Sequence, residues 1–223
     1  MKPRFNFDLQ QHIFDPNNRF NYQTNPEWLE LRADRFTASN AADLLSKGKD
    51  KDGLSKTIKK LINSRAMQNR TGWIDDSAMS YSEKEAVTRG LVYEEEARQW
   101  YQRQTGRTVV ECGFVERGSY IGCSPDGLVY DELRTVQIKI PMPANFVEAI
   151  LNGWEDYVPQ CHFERFVCCF KVADLVIYSP ELQTGKIIEI PADPEIDRNI
   201  LSKMRAAVKY RDTVNAALDD LIK

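Results

Sequence analysis

The hydrophobic pattern of the chain changes period at Gly106. Ahead of it, Val87, Leu91, Ala97 and Tyr101 recur at the spacing of one helix face. That segment opens on Ser82-x-x-Glu85, a capping-box pattern, and closes on Thr105-Gly106, so it predicts one long helix. Behind it come four β-rich runs, over residues 108–115, 120–124, 128–130 and 135–140. Turns this short join antiparallel neighbours, which predicts a mostly antiparallel meander in one central sheet.

Other elements follow from local signals. Asn25-Pro26-Glu27 opens a first helix, since Asn caps, Pro suits the first helical position and Glu suits the dipole. Trp28, Leu31 and Arg35 continue it. A second, short helix follows Thr37-Ala38-Ser39, with Ser39 as its cap, Ala41, Ala42, Leu44 and Leu45 on its apolar side, and Gly48 at its end. A third runs from Ser55 to about Met67. Pro141 and Pro143 stop the last of the four strands. Helices over residues 144–151 and from Pro159, strands over 174–178 and 186–190, and a helix from Pro194 onward complete the order. The expected class is α/β (α+β), a central mixed β-sheet flanked by helices. Residues 1–24, polar and rich in Asn and Gln, form an N-terminal arm, and residues 25–223 a single domain.

Composition removes several alternatives. A chain of 223 residues with 42% hydrophobic and 28% charged residues is ordinary for a globular protein. Its longest apolar run, residues 166–170, is far short of the ~20 residues of a membrane span. Residues 1–8 hold no apolar signal core, and the expected location is the cytoplasm. Five cysteines with no C-x-x-C pair, and two histidines, argue against a zinc site and for free thiols. The net charge of −3 favours no partner class. Its distribution is uneven: residues 47–70 hold eight basic residues against Asp50 and Asp52, a local +6 on a body of −9. Such a stripe can follow a phosphate backbone, and it can equally be a solvated loop.

Three features carry chemistry. Pro125-Asp126-Gly127 stands between two apolar strands and, taken alone, reads as an Asp-Gly turn. On the next strand, Gln137 and Lys139 share one face, because side chains alternate with period two, while Val136, Ile138 and Ile140 face the other way. An edge strand with a solvated face would look the same. Glu94, three residues after Leu91 and seven before Tyr101, puts a carboxylate on or beside the apolar stripe of the long helix. A buried acid needs a partner or a cation. Helix phase leaves Glu95 and Glu96 open as the inward residue, and a Glu-Glu-Glu run also suits a solvated face.

Together these residues resemble a known family. Glu27-Trp28-Leu29-x-Leu31-Arg32, Thr37-Ala38-Ser39, Arg89-Gly90-x-x-Tyr93-Glu94, Cys123-Ser124-Pro125-Asp126-Gly127-Leu128 and Gln137-Ile138-Lys139 occur in the order seen in the lambda-type phage exonucleases, the YqaJ-like viral recombinases. That family carries the nuclease core P-D…(D/E)-x-K, and the resemblance spans about residues 26–169. It implies a restriction-endonuclease-like core and a Mg²⁺-dependent enzyme that digests one strand of double-stranded DNA from its 5′ end. The products are 5′-mononucleotides and a 3′ overhang for recombination by strand annealing. It further implies a homotrimeric ring, a single-strand annealing protein as partner, and two Mg²⁺ ions for which Mn²⁺ can substitute. The location implied is the cytoplasm of a bacterial host.

By the same resemblance, Asp126 and residue 137 would bind the metals with the carbonyl of Ile138, and Glu94 would be an outer ligand. Lys139 would orient or deprotonate the attacking water, and Gln160 would position Lys139 or water. Arg32, Ser39 and Ser124 would hold the terminal 5′-phosphate, with Trp28 beside them. Hard oxygen ligands suit Mg²⁺, and a forked guanidinium suits a phosphate. The chain departs from the pattern at Gln137, where the family has Glu. An amide keeps the shape and loses a full charge, so metal binding is expected to weaken and cleavage to slow by orders of magnitude. Either Gln137 is an inactivating change that traps uncleaved DNA, or it is native to this branch. An endonuclease on the same core and a non-catalytic DNA-end-binding protein are the competing functions.

Overall fold

Two four-stranded sheets, in place of one meander, carry most of the strands. The structure, a computed structural model, describes residues 1–9, 12–14, 22–33, 35–72 and 81–222. Strands are numbered in chain order. The first sheet has the order β1 (Arg4–Asn6), β5 (Phe114–Glu116), β6 (Ile121–Cys123), β4 (Phe36–Thr37). The second has the order β10 (Thr184–Pro191), β9 (Val172–Ser179), β8 (Arg134–Lys139), β7 (Gly127–Val129). A separate pair joins β2 (His12–Phe14) to β3 (Tyr22–Thr24). Both larger sheets are mixed, with parallel pairs β4–β6 and β8–β9 and antiparallel pairs elsewhere. The α+β class with mixed sheets flanked by helices therefore holds.

The chain passes from one sheet to the other at Ser124-Pro125-Asp126. Pro125 has no N–H with which to continue the ladder of β6, and Asp126 forms a bend before β7 starts at Gly127. Gly127 is thus the first residue of a strand and not the second half of a turn. A Cβ on it would lie 2.2 Å from Val109 Cγ1, so glycine is what lets β7 start under that side chain.

Of the expected caps, Asn25 holds and Ser39 does not. Asn25 Oδ1 accepts from Glu27 N at 2.8 Å and opens α1 (Pro26–Ala33). Arg35 lies outside α1 and bonds Leu31 O at 2.6 Å and Glu116 at 2.5 Å. Ser39 is no cap: it sits inside a 3₁₀ turn (Ala38–Asn40) that leads into α2 (Ala41–Leu45), which ends at Ser46 rather than Gly48. Ser55 Oγ accepts from Ile58 N at 3.2 Å and caps α3 (Lys56–Thr71), which runs a turn past Met67 to Gly72 with φ +67°.

The long helix is α4 (Tyr81–Thr105); the side chain of Ser82, on which its capping box would rest, lies outside the described residues. Its buried stripe is Ala97, Trp100 and Tyr101, while Val87 is 45% exposed. Core contact therefore begins in the second half of the helix. α5 (Pro143–Asn152) and α6 (Val158–Cys168) connect β8 to β9, and α7 (Pro194–Ile222) follows β10. No helix among the described residues is long and apolar enough to cross a membrane.

α4 covers one face of the second sheet, where Ala97, Trp100 and Tyr101 meet Val136, Ile138, Val176 and Tyr178. α5 and the start of α6 cover the other, where Phe146 and Cys161 meet Leu175 and Ile177. The rest of α6 packs with the first sheet, α2, α3 and α7 through Phe163, Phe166 and Val167. Caught between the two sheets, α6 is buried at every residue from Cys161 to Cys168. The helix is therefore a fixed wall for whatever faces it.

The basic segment 47–70 is only partly a surface stripe. Lys59 pairs with Asp50 and Asp52, each at 2.7 Å, Arg70 with Asp219 at 2.5 Å, and Arg65 donates to Arg35 O at 2.7 Å.

At the far end of α4, Asp174 is 1% exposed and accepts from Tyr101 Oη at 2.5 Å, from Arg134 Nη1 at 2.9 Å and from Arg107 Nη1 at 3.4 Å. Without Asp174 the Tyr101 hydroxyl loses its acceptor while Arg107 and Arg134 keep Glu132 and Glu189, and losing a hydrogen bond to a charged group costs roughly 1.5–3 kcal/mol. Asp174→Ala is accordingly expected to lower the urea-unfolding free energy by that amount, and a loss under about 1 kcal/mol, the value of an exposed pair, would show the network to be idle.

Candidate active site

The site lies where the chain changes sheets. Asp126, at the bend, accepts at Oδ2 from the backbone N–H of Ile138 at 2.6 Å and from the amide of Gln137. The alternation of β8 turns Gln137 and Lys139 toward α6 and Val136 and Ile138 toward α4, as the period-two pattern requires. From α6, Gln160 meets both: its Oε1 accepts from Lys139 Nζ at 2.9 Å, and its Nε2 donates to Gln137 Oε1 at 2.6 Å. Lys139 Nζ also stands 5.5 Å from the centre of the Tyr157 ring.

These bonds have a direction. A lysine only donates, so Lys139 sets the oxygen of Gln160 toward itself and the nitrogen of Gln160 toward Gln137. Gln137 must then present its oxygen to Gln160 and its nitrogen to Asp126. That nitrogen also contacts Ile138 O at 3.3 Å. The amide N–H₂ of Gln137 thus lies between two oxygens, Asp126 Oδ2 and Ile138 O.

Of the three consecutive glutamates, Glu94 is the one beside Asp126. Burial, then the charge of Asp126, pushes its carboxyl up to about 8, against the pull of Arg98. Glu95 bonds Arg98 and Gln99, and Glu96 accepts from Tyr178 Oη at 2.6 Å. Burial also pushes the Asp126 carboxyl up, opposed first by Lys139 and then by the N–H of Ile138. The sum is a desolvated acid pair that gains from a cation.

Two residues of this neighbourhood were not anticipated. Arg98 bonds Glu94 at 2.6 Å, and Glu164 accepts from Gln160 Nε2 at 2.9 Å. Each stands four residues after an expected one, Glu94 and Gln160, on the same helix face, and that spacing was the available signal. Glu164 is fully buried; burial and then Asp126 hold its carboxyl well above the usual range.

The second cluster adjoins the first through Ser124. Trp28 Nε1 donates to Ser124 Oγ at 2.8 Å, and the Arg32 guanidinium lies 4.2 Å from the Trp28 ring centre. Arg32 Nη2 reaches Ser39 Oγ at 3.2 Å and Thr37 Oγ1 at 3.4 Å. Burial, then the charge of Arg65, lowers the Arg32 pKa to about 10. Among the described residues no carboxylate pairs with Arg32. A half-buried guanidinium ringed by hydroxyls beside a second arginine is a cradle for an anion. The 3₁₀ turn that denied Ser39 a capping role is what aims it there.

All the expected site residues therefore fall into two adjoining groups: Glu94, Asp126, Gln137, Ile138, Lys139 and Gln160 in one, Trp28, Arg32, Ser39 and Ser124 in the other. Within the first group, Asp126, Glu94 and the Ile138 carbonyl offer oxygens, of a kind that suits Mg²⁺, while the Gln137 oxygen is turned to Gln160. Among the described residues no three Asp, Glu, His or Cys side chains converge to hold a metal ion.

The family model for the YqaJ-like viral recombinase domain matches residues 27–168. No sequence among the curated proteins matches the chain. In structure it is similar to the alkaline exonuclease LHK-Exo of Laribacter hongkongensis, with a TM-score of 0.74 and 24% identity over 89% of this chain and 98% of that one. The complex of LHK-Exo with dAMP aligns with the same TM-score of 0.74. A phage-related exonuclease of Haemophilus somnus 129PT aligns with a TM-score of 0.68 and 15% identity over 82% of this chain and 96% of that one.

Proposed function

The chain belongs to the YqaJ-like viral recombinase domain family, and from that membership and the paired clusters we propose a nuclease that digests double-stranded DNA from its 5′ ends. One strand is removed as 5′-mononucleotides, and the 3′ overhang left behind serves recombination by strand annealing. The observation that carries the proposal is the junction at Ser124-Pro125-Asp126. Ser124 belongs to the anion cradle and Asp126 to the acid cluster, so one short segment ties the grip on a DNA end to the place of reaction.

Arg32, Ser39 and Ser124 hold the terminal 5′-phosphate, and Trp28 supports the Arg32 plane. The bond to the next nucleotide then falls near Asp126 and Lys139. Asp126, Glu94, the Ile138 carbonyl and the side chain at 137 would hold Mg²⁺. When bound, the metal supplies charge relief for the phosphate oxygens and acidifies water. Lys139 orients the attacking water through Nζ, and Gln160 keeps that nitrogen aimed; the water's proton passes to bulk water as the P–O bond forms. The P–O3′ bond breaks, and the leaving 3′ oxygen takes its proton from bulk water.

Gln137 limits this chemistry. Its amide donates to Asp126 where the family pattern carries a second negative charge, so the chain as it stands binds DNA ends and cleaves them slowly. That orientation of the amide is also what favours the alternative, an end-binding protein without catalysis.

The end-recognition half is tested by Arg32→Ala. Hydrogen bonds to charged groups are each worth roughly 1.5–3 kcal/mol, so affinity for a 5′-phosphorylated duplex should fall ~10–100-fold. Affinity for the same duplex with a 5′-hydroxyl should barely change. Equal losses on both substrates would remove the phosphate cradle from the proposal. Strand-specific end labels on the digested duplex check the polarity: release from the 5′ label first is expected.

A further inference from the structure

Arg98 bonds both the Glu94 carboxylate and the peptide of Asp126. It is 6% exposed, on the buried side of α4. Its Nη2 donates to Glu94 Oε1 at 2.6 Å, and its Nε donates to the main-chain oxygen of Asp126 at 3.2 Å. Its Nη1 meets Glu111 at 3.0 Å and also Glu95. The last two carboxylates are largely exposed, with side chains 72% and 59% accessible, and exposed pairs contribute little. The contacts that distinguish Arg98 are therefore the ones to Glu94 and to the peptide of Asp126. They come from two different elements, a helix and the inter-sheet bend.

We propose that Arg98 is the positioning residue of the metal centre: its guanidinium fork fixes the Glu94 carboxylate relative to Asp126, so that both acids face one divalent cation. The proposal rests on the nuclease assignment above. A planar fork is needed because one group must satisfy a carboxylate and a carbonyl in fixed directions, which a lysine ammonium does not do. The fork engages Glu94 through Oε1 while standing beside two desolvated acids whose charges repel. Its positive charge, 2.6 Å from Glu94, offsets that repulsion.

Two other roles make different forecasts. If Arg98 only braces the fold, its loss lowers stability and leaves metal affinity alone. If it competes with the cation for Glu94, its loss raises metal affinity.

The test measures Mn²⁺ binding by electron paramagnetic resonance, without DNA, on the full chain carrying Gln137→Glu, with and without Arg98→Met or Arg98→Lys. Thermal midpoints are recorded alongside. Outer partners of metal ligands typically matter by ~10–100-fold in affinity. Arg98→Met is expected to weaken Mn²⁺ binding by that factor in folded protein, and Arg98→Lys by a smaller one. If Arg98→Met does not fold, the same comparison on Arg98→Lys decides. Unchanged or tighter Mn²⁺ binding in the folded variants overturns the positioning role while leaving the nuclease assignment intact. Absence of Mn²⁺ binding in the Gln137→Glu chain itself overturns the nuclease assignment, and the role of Arg98 with it.

Discussion

Gln137→Glu is expected to raise Mg²⁺-dependent digestion of 5′-phosphorylated linear duplex DNA by about 10²–10³-fold, the scale on which preorganised electrostatic groups act at a reacting centre. The direction of the hydrogen bonds explains why an amide is so costly here. Lys139 donates to Gln160, Gln160 donates to Gln137, and Gln137 is left with its nitrogen toward Asp126. The amide cannot simply rotate by half a turn, because its nitrogen would then confront the nitrogen of Gln160. A carboxylate would accept from Gln160 through one oxygen and leave the other free of any N–H. The same change should leave a covalently closed circular duplex intact. If linear DNA is digested no faster, Gln137 is the native residue of an end-binding protein; if circles are cut, the chain is an endonuclease on the same core.

Lys139→Met, in the chain carrying Gln137→Glu, is expected to slow cleavage by about 10²–10³-fold, the usual contribution of an oriented charged donor at a reacting centre. DNA-end affinity should be retained, because the cradle of Arg32, Ser39 and Ser124 is separate from Lys139. Methionine keeps the length and the packing on Tyr157 and removes the donor. Gln160 then loses the partner that sets its amide, so part of the loss will come through residue 137. Comparing Gln160→Leu separates the two parts: a loss well below that of Lys139→Met assigns most of the effect to Nζ itself. A Lys139→Met chain that cleaves at an undiminished rate would remove the lysine from the chemistry.

The parts of the fold that local chemistry determines were legible before the structure. The helices start at Asn25 and Ser55 because a side-chain oxygen and an amide two or three residues apart meet without help from the rest of the chain. Gln137 and Lys139 face one way because a strand leaves them no choice. Strand partners were less legible, since they are chosen across the whole chain. Arg4–Asn6 pairs with Phe114–Glu116, and β8 runs parallel to β9 beyond two intervening helices. The division into two sheets turned on Pro125, which was visible as punctuation but not as a crossing point.

The same divide runs through the site. The acids, the lysine and the cradle residues were identified from family pattern, and the structure brings them together. Periodicity alone left Glu94, Glu95 and Glu96 undecided, and only the packing of Ala97, Trp100 and Tyr101 on the second sheet sets the phase of α4. Val87, counted on the apolar stripe, lies before the point where the helix meets the core. Arg98 and Glu164 were passed over because a buried charge is recognisable only once its partners are known.

The geometry of the centre is open to one direct measurement: anomalous diffraction at the manganese edge from crystals of the Gln137→Glu chain soaked in Mn²⁺. Electron density for manganese should stand among Asp126, the Ile138 carbonyl, Glu94 and the side chain at 137, within reach of Lys139. Manganese bound only at other places, or none bound at all with Asp126 and Lys139 turned apart, would contradict it.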